Sequence, residues 1–174
     1  NSPARPFYQS VSMMHLDAIP LVAYKPFVKG LFTENEKYIT DELVEEVYDF
    51  FEGHTWYVQL AMNELYILTA KEETCDKPML KTALDNIIAM QDFTYQEIFS
   101  RLPDKQKEVI VAIAKEKKAE GVTSARFIKQ YRLSSSSSVQ SGLKGLMEKD
   151  MVTQEQGVYQ VYDKLLGVWL RRNY

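Results

Sequence analysis

Apolar residues recur every three or four positions along most of this chain, the spacing of one helix face, and in a few short stretches the period drops to two. From Leu21 to Phe32, Tyr24, Phe27, Val28, Leu31 and Phe32 predict a helix. Glu34-Asn-Glu-Lys is a polar break. Thr40-Asp41-Glu42 then reads as a helix start, with acids where the helix dipole favours them. Leu43, Val44, Val47, Tyr48, Phe50 and Phe51 form its apolar side, and Gly53 closes it. A long helix is expected from about Thr55 to Glu73, carried by Trp56, Tyr57, Leu60, Leu65, Ile67 and Leu68. After the connector Cys75-Asp-Lys-Pro, Pro78 suits the first turn of another helix that runs to about Arg101. Ahead of all these, Gln9 to Ile19 contains Val-Ser-Met-Met-His-Leu and reads as a strand. Nothing else in the first half resembles a strand that could pair with it, and unpaired ladder groups are costly. Its sheet is therefore expected to belong to sequence upstream.

Past Pro103 the order of elements becomes specific. Val109, Ile110 and Ile113 mark a helix over 107–117, Glu120-Gly121 a turn, and Thr123-Ser124 the cap of a short helix with Phe127, Ile128 and Tyr131. The run Ser134–Ser138 supplies hydroxyls that can accept bonds from unpaired helix N–H groups. Read by composition alone, the same run could be a flexible linker. The apolar stripe Val139, Leu143, Leu146, Met147 begins directly after it and favours a capped helix. Met151-Val152-Thr153 and Val158–Tyr162 are short, β-branched or aromatic strands around a turn at Gln154–Gly157. Three helices followed by such a hairpin form a winged helix. Leu165, Leu166, Trp169 and Leu170 add a last amphipathic helix. The fold class expected is mainly α: a strand-like segment over 1–20, a helical bundle over 21–102, and a winged-helix domain with a small β-hairpin wing over 103–174.

Charge sharpens the division. Residues 1–102 hold 8 Lys+Arg against 16 Asp+Glu, whereas 103–174 hold 13 against 8, which suggests two modules with different partners. No apolar run approaches the roughly 20 residues of a membrane helix, and the first residues, Asn-Ser-Pro-Ala-Arg-Pro, are not a secretory leader. A chain that opens without Met is expected to be processed or cut from a longer protein. The single Cys75 suits a reducing compartment, so a cytoplasmic location is expected.

Catalytic chemistry is hard to assemble from these residues. Gly142-Leu-Lys-Gly145 lacks the spacing of a phosphate-binding loop and lies inside a predicted helix. His15 and His54 have no Cys, His or Asp at ligand spacing, so no metal site is expected. Glu42, Glu45, Glu46, Asp49 and Glu52 read as a solvated helix face rather than an acid/base pair. Binding is more legible. The face opposite the stripe of the third winged-helix helix presents Ser136, Ser137, Gln140, Ser141 and Lys144. Serine and glutamine can read base edges, and Lys144 can meet phosphate. Arg126, Lys129 and Arg132 add positive charge just before it. The wing pulls the other way. Gln154-Glu155-Gln156-Gly157 has no cation, and affinity for DNA rests mainly on neutralised phosphates. DNA and a protein partner both remain open at this point.

Three motifs carry a resemblance. Arg5-Pro6-Phe7-Tyr8 leads into the first strand, Gly53-His54-Thr55-Trp56-Tyr57-Val58-Gln59 makes a helical-lid turn, and Val161-Tyr162-Asp163-Lys164-Leu165-Leu166-Gly167-Val168-Trp169-Leu170 closes the winged helix. In this order they resemble the C-terminal part of bacterial and archaeal P-loop ATPases, relatives of AAA+ proteins and of signal-transduction ATPases with numerous domains. The resemblance implies a lid-like bundle that closes over a nucleotide held by an upstream core. By position it implies that Gly53, His54 and Thr55 touch nucleotide, with Thr55 standing where proline is usual, and that Arg5 faces the nucleotide of its own or a neighbouring subunit. It further implies ATP with Mg as cofactor of the full-length parent, none in this chain, and the ATPase core as a partner. This region alone would then have no catalysis and would couple nucleotide state to DNA or protein. The alternative is a free-standing transcriptional regulator, with an acidic helical domain for dimerisation or ligand binding and a winged helix for an operator.

Overall fold

The computed structural model describes residues 18–174. The expected strand from Gln9 lies, up to Asp17, outside the described residues, as do the Arg5–Tyr8 motif and His15. The described chain is mainly α: eight helices and one three-stranded antiparallel sheet. One compact unit ends at Leu80 and the second spans Lys81–Tyr174.

In the first unit, α1 (Leu21–Thr33) buries Tyr24, Val28 and Phe32, one residue per turn along one face. α2 (Asp41–Phe50) starts where the sequence places it, with the Thr40 hydroxyl accepting from the Leu43 N–H at 3.2 Å. Leu43, Val44 and Val47 form its buried side, and Lys25–Glu45 and Lys29–Asp41 ion pairs tie α1 to α2. α2 ends at Phe50, and Glu52 and Gly53 then reverse the chain at φ of +52° and +72°.

α3 (Thr55–Leu68) is shorter than its apolar pattern predicts, stopping at Leu68 rather than near Glu73. At Thr69 the backbone turns extended. Its buried hydroxyl lies 2.6 Å from the Leu65 carbonyl, to which it donates, and 2.8 Å from the Cys75 sulfur. Beyond it the chain makes a parallel bridge, Tyr38 to Thr74, with the Cys75 N–H donating to the Tyr38 carbonyl at 2.8 Å. A long-range pairing thus outcompetes the helical phase. Part of the expected apolar sides is also left outside: Phe27, Leu31, Phe50, Trp56 and Ile67 are exposed.

Cys75 is buried, and burial pushes its thiol above the ordinary range. Since the thiolate is the reactive form, Ellman's reagent is expected to modify native protein at least tenfold more slowly than protein in denaturant. Equal rates would place Cys75 at the surface.

α4 (Lys77–Ser100) carries the chain into the second unit, with Pro78 in its first turn as expected. α5 (Asp104–Glu116), α6 (Ala125–Tyr131) and α7 (Ser136–Met147) follow. Strands β2 (Val152–Glu155) and β3 (Val158–Val161) pair in register through Thr153 with Gln160 and Gln154 with Tyr159. Their turn is two residues long, Gln156 and Gly157, both at positive φ, the geometry that matches strand twist in tight hairpins. A third strand, β1 (Ala119–Glu120), pairs with β3 on its other side, giving the order β1-β3-β2. The sequence reading assigns Glu120 to a turn; the structure puts it in this strand and leaves the turn to Gly121 at φ +55°. α8 (Lys164–Asn173) closes the unit.

The closing motif has a structural job. One oxygen of Asp163 caps α8, accepting from the Leu165 and Leu166 N–H groups at 2.9 and 3.1 Å, while the other accepts from the Tyr95 hydroxyl at 3.1 Å. Trp169 donates its indole N–H to Asp92 at 2.6 Å and packs among Tyr95, Phe99 and Tyr174. α4 is thereby fastened to α8 within this unit.

Candidate functional site

The helix to which the sequence assigns the candidate binding face is α7, and its two ends and two faces are set by different residues. At its start the chain leaves α6 through Arg132, in the left-handed region at φ +54°, while the Leu133 N–H reaches back to the Ile128 carbonyl at 2.9 Å. Leu133 is buried and pins the turn. Ser135 is the cap, its hydroxyl accepting from the Ser138 N–H at 3.2 Å. The serine run is therefore a helix start, not a linker.

One face of α7 is committed to the core through Val139, Gly142, Leu143 and Leu146. Met147, assigned to the same stripe by spacing, is exposed. At Gly142 the helix comes so near α5 that a β-carbon would lie 3.1 Å from the Lys105 carbonyl oxygen. The opposite face is left to solvent: Ser136, Ser137, Gln140, Ser141 and Lys144 are all exposed. Lys144 stands 4.0 Å from Glu148, with both side chains mostly in water, a pair that contributes little and yields readily.

The three flanking cations are exposed as well, Arg126 and Lys129 three residues apart on α6 and Arg132 at its end. Arg132 stands in the turn that opens α7. Arg126 lines a cleft of about 460 Å³ together with Glu116, Lys118, Glu120 and Gln130, so its charge has carboxylate neighbours. Across the wing, Glu120 and Glu155 both stand opposite Val158, one on each side of β3. Directly opposed residues share a sheet face, so two carboxylates flank the same point of the sheet. The sequence shows Glu155; its pairing with Glu120 needs β1. A phosphate backbone meeting this end of the wing would be repelled.

The turn singled out by the resemblance lies between α2 and α3. Gly53 is buried and its N–H donates to the Tyr48 carbonyl at 2.9 Å. His54 is exposed, makes no capping bond, and has its ring 4.7 Å from that of Tyr57. Thr55 opens α3. Among the described residues, no group of three His, Cys, Asp or Glu is placed to hold a metal ion, and no helix is long and apolar enough to cross a membrane.

With this geometry in view, residues 93–172 match the family model described as "Probable winged helix domain". The matched stretch begins within α4, covers α5 to β3 and ends in α8. No curated protein and no solved structure matches the chain. The C-terminal unit is accordingly similar to winged-helix domains, a class that binds DNA or protein.

Proposed function

We propose that this chain is the helical-bundle and winged-helix region of a P-loop ATPase, with the winged helix as the arm that engages a macromolecular partner. The observation that carries the binding role is the division of α7, one face held against α5 and the other wholly exposed with Ser136, Ser137, Gln140, Ser141 and Lys144. The ATPase parentage is supported by the order of a helical bundle before a winged helix and by the three motifs of the resemblance. In this reading the catalytic core is supplied by other sequence, and nucleotide there biases the bundle and hence the winged helix. Coupling of this kind requires each state to make different contacts.

Purified alone, the chain is expected to show no ATP turnover with Mg. The coding sequence preceding it is expected to contain a phosphate-binding loop, and the joined protein to hydrolyse ATP. Steady turnover by the chain alone, or no such loop upstream, ends this reading.

A second reading, a DNA-binding regulator, is favoured by one observation: Arg126, Lys129 and Arg132 are exposed and have no ion-pair partner among the described residues. If duplex DNA is the partner, log affinity falls linearly with log salt, by about one unit of slope per phosphate met. The charge reversal Lys129→Glu/Arg132→Glu then lowers that slope by about two. A protein partner on α7 leaves DNA affinity negligible and unchanged by these substitutions.

A further inference from the structure

Between α1 and α3, within the first unit, lies a cleft of about 350 Å³ with largely aromatic and apolar walls. Its apolar part is made by Phe27, Val28, Leu31, Phe32, Met62 and Tyr66. Phe27 and Leu31 are 55% and 45% exposed although they follow the helical spacing of core residues. The Tyr66 ring is held in place: Phe32 meets it edge-on at 5.3 Å, and the Lys37 ammonium lies 4.1 Å from its centroid while donating to the Tyr66 carbonyl at 2.7 Å. A ring fixed before binding loses little freedom on binding.

Tyr24 is the unusual member. It is only 4% exposed, and its hydroxyl has no hydrogen-bond partner among the described residues. Among the described residues no fully enclosed side-chain oxygen is left unpartnered, so the small accessible part of Tyr24 includes that hydroxyl. Tyr24 lines the cleft. That hydroxyl therefore opens onto the cleft as a donor that an occupant's acceptor can meet in place of water. Burial pushes its pKa up to about 12, so it remains a donor throughout the physiological range. Three carboxamides, Asn35, Gln59 and Asn63, complete the lining, and no charged side chain contributes.

This chemistry narrows the occupant. Aromatic walls suit a flat ring system. The lack of charge disfavours an ion, and the carboxamides, which both donate and accept, suit the mixed edge of a heterocycle. From Phe27 to the end of α1 at Thr33 the wall is seven residues of helix, about 10 Å long. That is too short for a protein interface of about 1,000 Å², and the volume falls at the small end of ligand pockets. We propose that the cleft between α1 and α3 binds an uncharged two-ring heteroaromatic molecule, packed on Phe27, Phe32 and Tyr66, with a ring nitrogen or carbonyl oxygen accepting from the Tyr24 hydroxyl. The site is independent of what the winged helix binds.

Three probes test it by NMR titration of the intact chain at neutral pH: quinoline, naphthalene and quinoline-4-carboxylate. Quinoline is expected to shift the Phe32, Met62 and Tyr66 resonances and to bind about five- to tenfold more tightly than naphthalene, which has the same shape and no acceptor. The carboxylate is expected to bind more weakly than quinoline. Tyr24→Phe should bring quinoline down to naphthalene's affinity and leave naphthalene unchanged, without loss of fold, because it removes a hydroxyl that bonds nothing. Leu31→Trp, at an exposed position, should fill the cleft and abolish binding of all three. Equal affinity for quinoline and naphthalene, insensitivity to Tyr24→Phe, or shifts confined to residues outside the cleft would overturn the proposal.

Discussion

Replacing Trp169 with alanine is expected to unfold the C-terminal unit at temperatures where the native protein is folded. The side chain is 2% exposed. Removing a core tryptophan costs about 3–5 kcal/mol, a large share of the roughly 5–15 kcal/mol that holds a domain together. The loss has two parts. The ring is the common neighbour of Tyr95, Phe99 and Tyr174, whose centroids lie 5.9 to 6.0 Å from its own. Its N–H also satisfies Asp92, which among the described residues otherwise accepts only from Gln96, at 2.7 Å. Trp169→Phe keeps much of the first part and loses the second, so it should cost about 1–2 kcal/mol. Trp56 supplies the control. It is 57% exposed, and Trp56→Ala should change stability by no more than about 0.5 kcal/mol. Chemical denaturation followed by circular dichroism reads all three. A Trp169→Ala protein that unfolds at the native midpoint would mean that α4 and α8 are not joined as described.

The contrast between the two tryptophans shows what was legible in the chain beforehand. Both stand in helical apolar patterns, but α8 has one plainly apolar side whereas apolar residues surround α3, and period alone does not say which face turns inward in the second case. α3 is such a helix, and Trp56 and Ile67 lie on its outside. Where one face is plainly polar the reading succeeds. The serines before Val139 cap α7, and its outer face is the one predicted. The hairpin was legible for the same local reason, a turn between β-branched segments, but the turn expected at Gln154–Gly157 shrinks to Gln156 and Gly157 because pairing with β3 carries β2 on through Gln154 and Glu155. β1 was not, because two residues carry no period; only pairing with β3 makes Ala119–Glu120 a strand. The early end of α3 follows from Thr69 and the bridge between Tyr38 and Thr74, partners that no local window contains.

The candidate site divides in the same way. The α7 face is a matter of helical phase, so its five residues could be chosen from sequence. The electrostatics of the wing are a matter of register, so the pairing of Glu120 with Glu155 across β3 could not. Tyr24 was legible as a core position and is one. That its hydroxyl lacks a partner depends on every side chain around it.

Gly53→Ala is expected to destabilise the N-terminal unit by about 2–4 kcal/mol, for two separable reasons. At φ +72° a residue with a β-carbon is strained in the left-handed region. That β-carbon would also lie 2.7 Å from the Tyr48 hydroxyl oxygen and 2.8 Å from the ring carbon bearing it. Tyr48 is not free to retreat without loss, since its hydroxyl donates to the Ile19 carbonyl at 2.9 Å. The steric part belongs to the pair and the backbone part to Gly53 alone. In a double-mutant cycle, Tyr48→Ala should therefore relieve about 1–3 kcal/mol of the Gly53→Ala penalty and leave the remainder. An alanine at position 53 that costs less than about 0.5 kcal/mol would sink this account of the turn. The cycle also separates structure from function at the motif that resembles an ATPase lid. Gly53 is required by the bend whether or not nucleotide ever reaches it, so the neighbouring His54, exposed and making no capping bond, is the better reporter of a nucleotide contact. His54→Ala should leave stability within about 0.5 kcal/mol, and any change it makes in a nucleotide response of the joined protein would then be due to the contact itself.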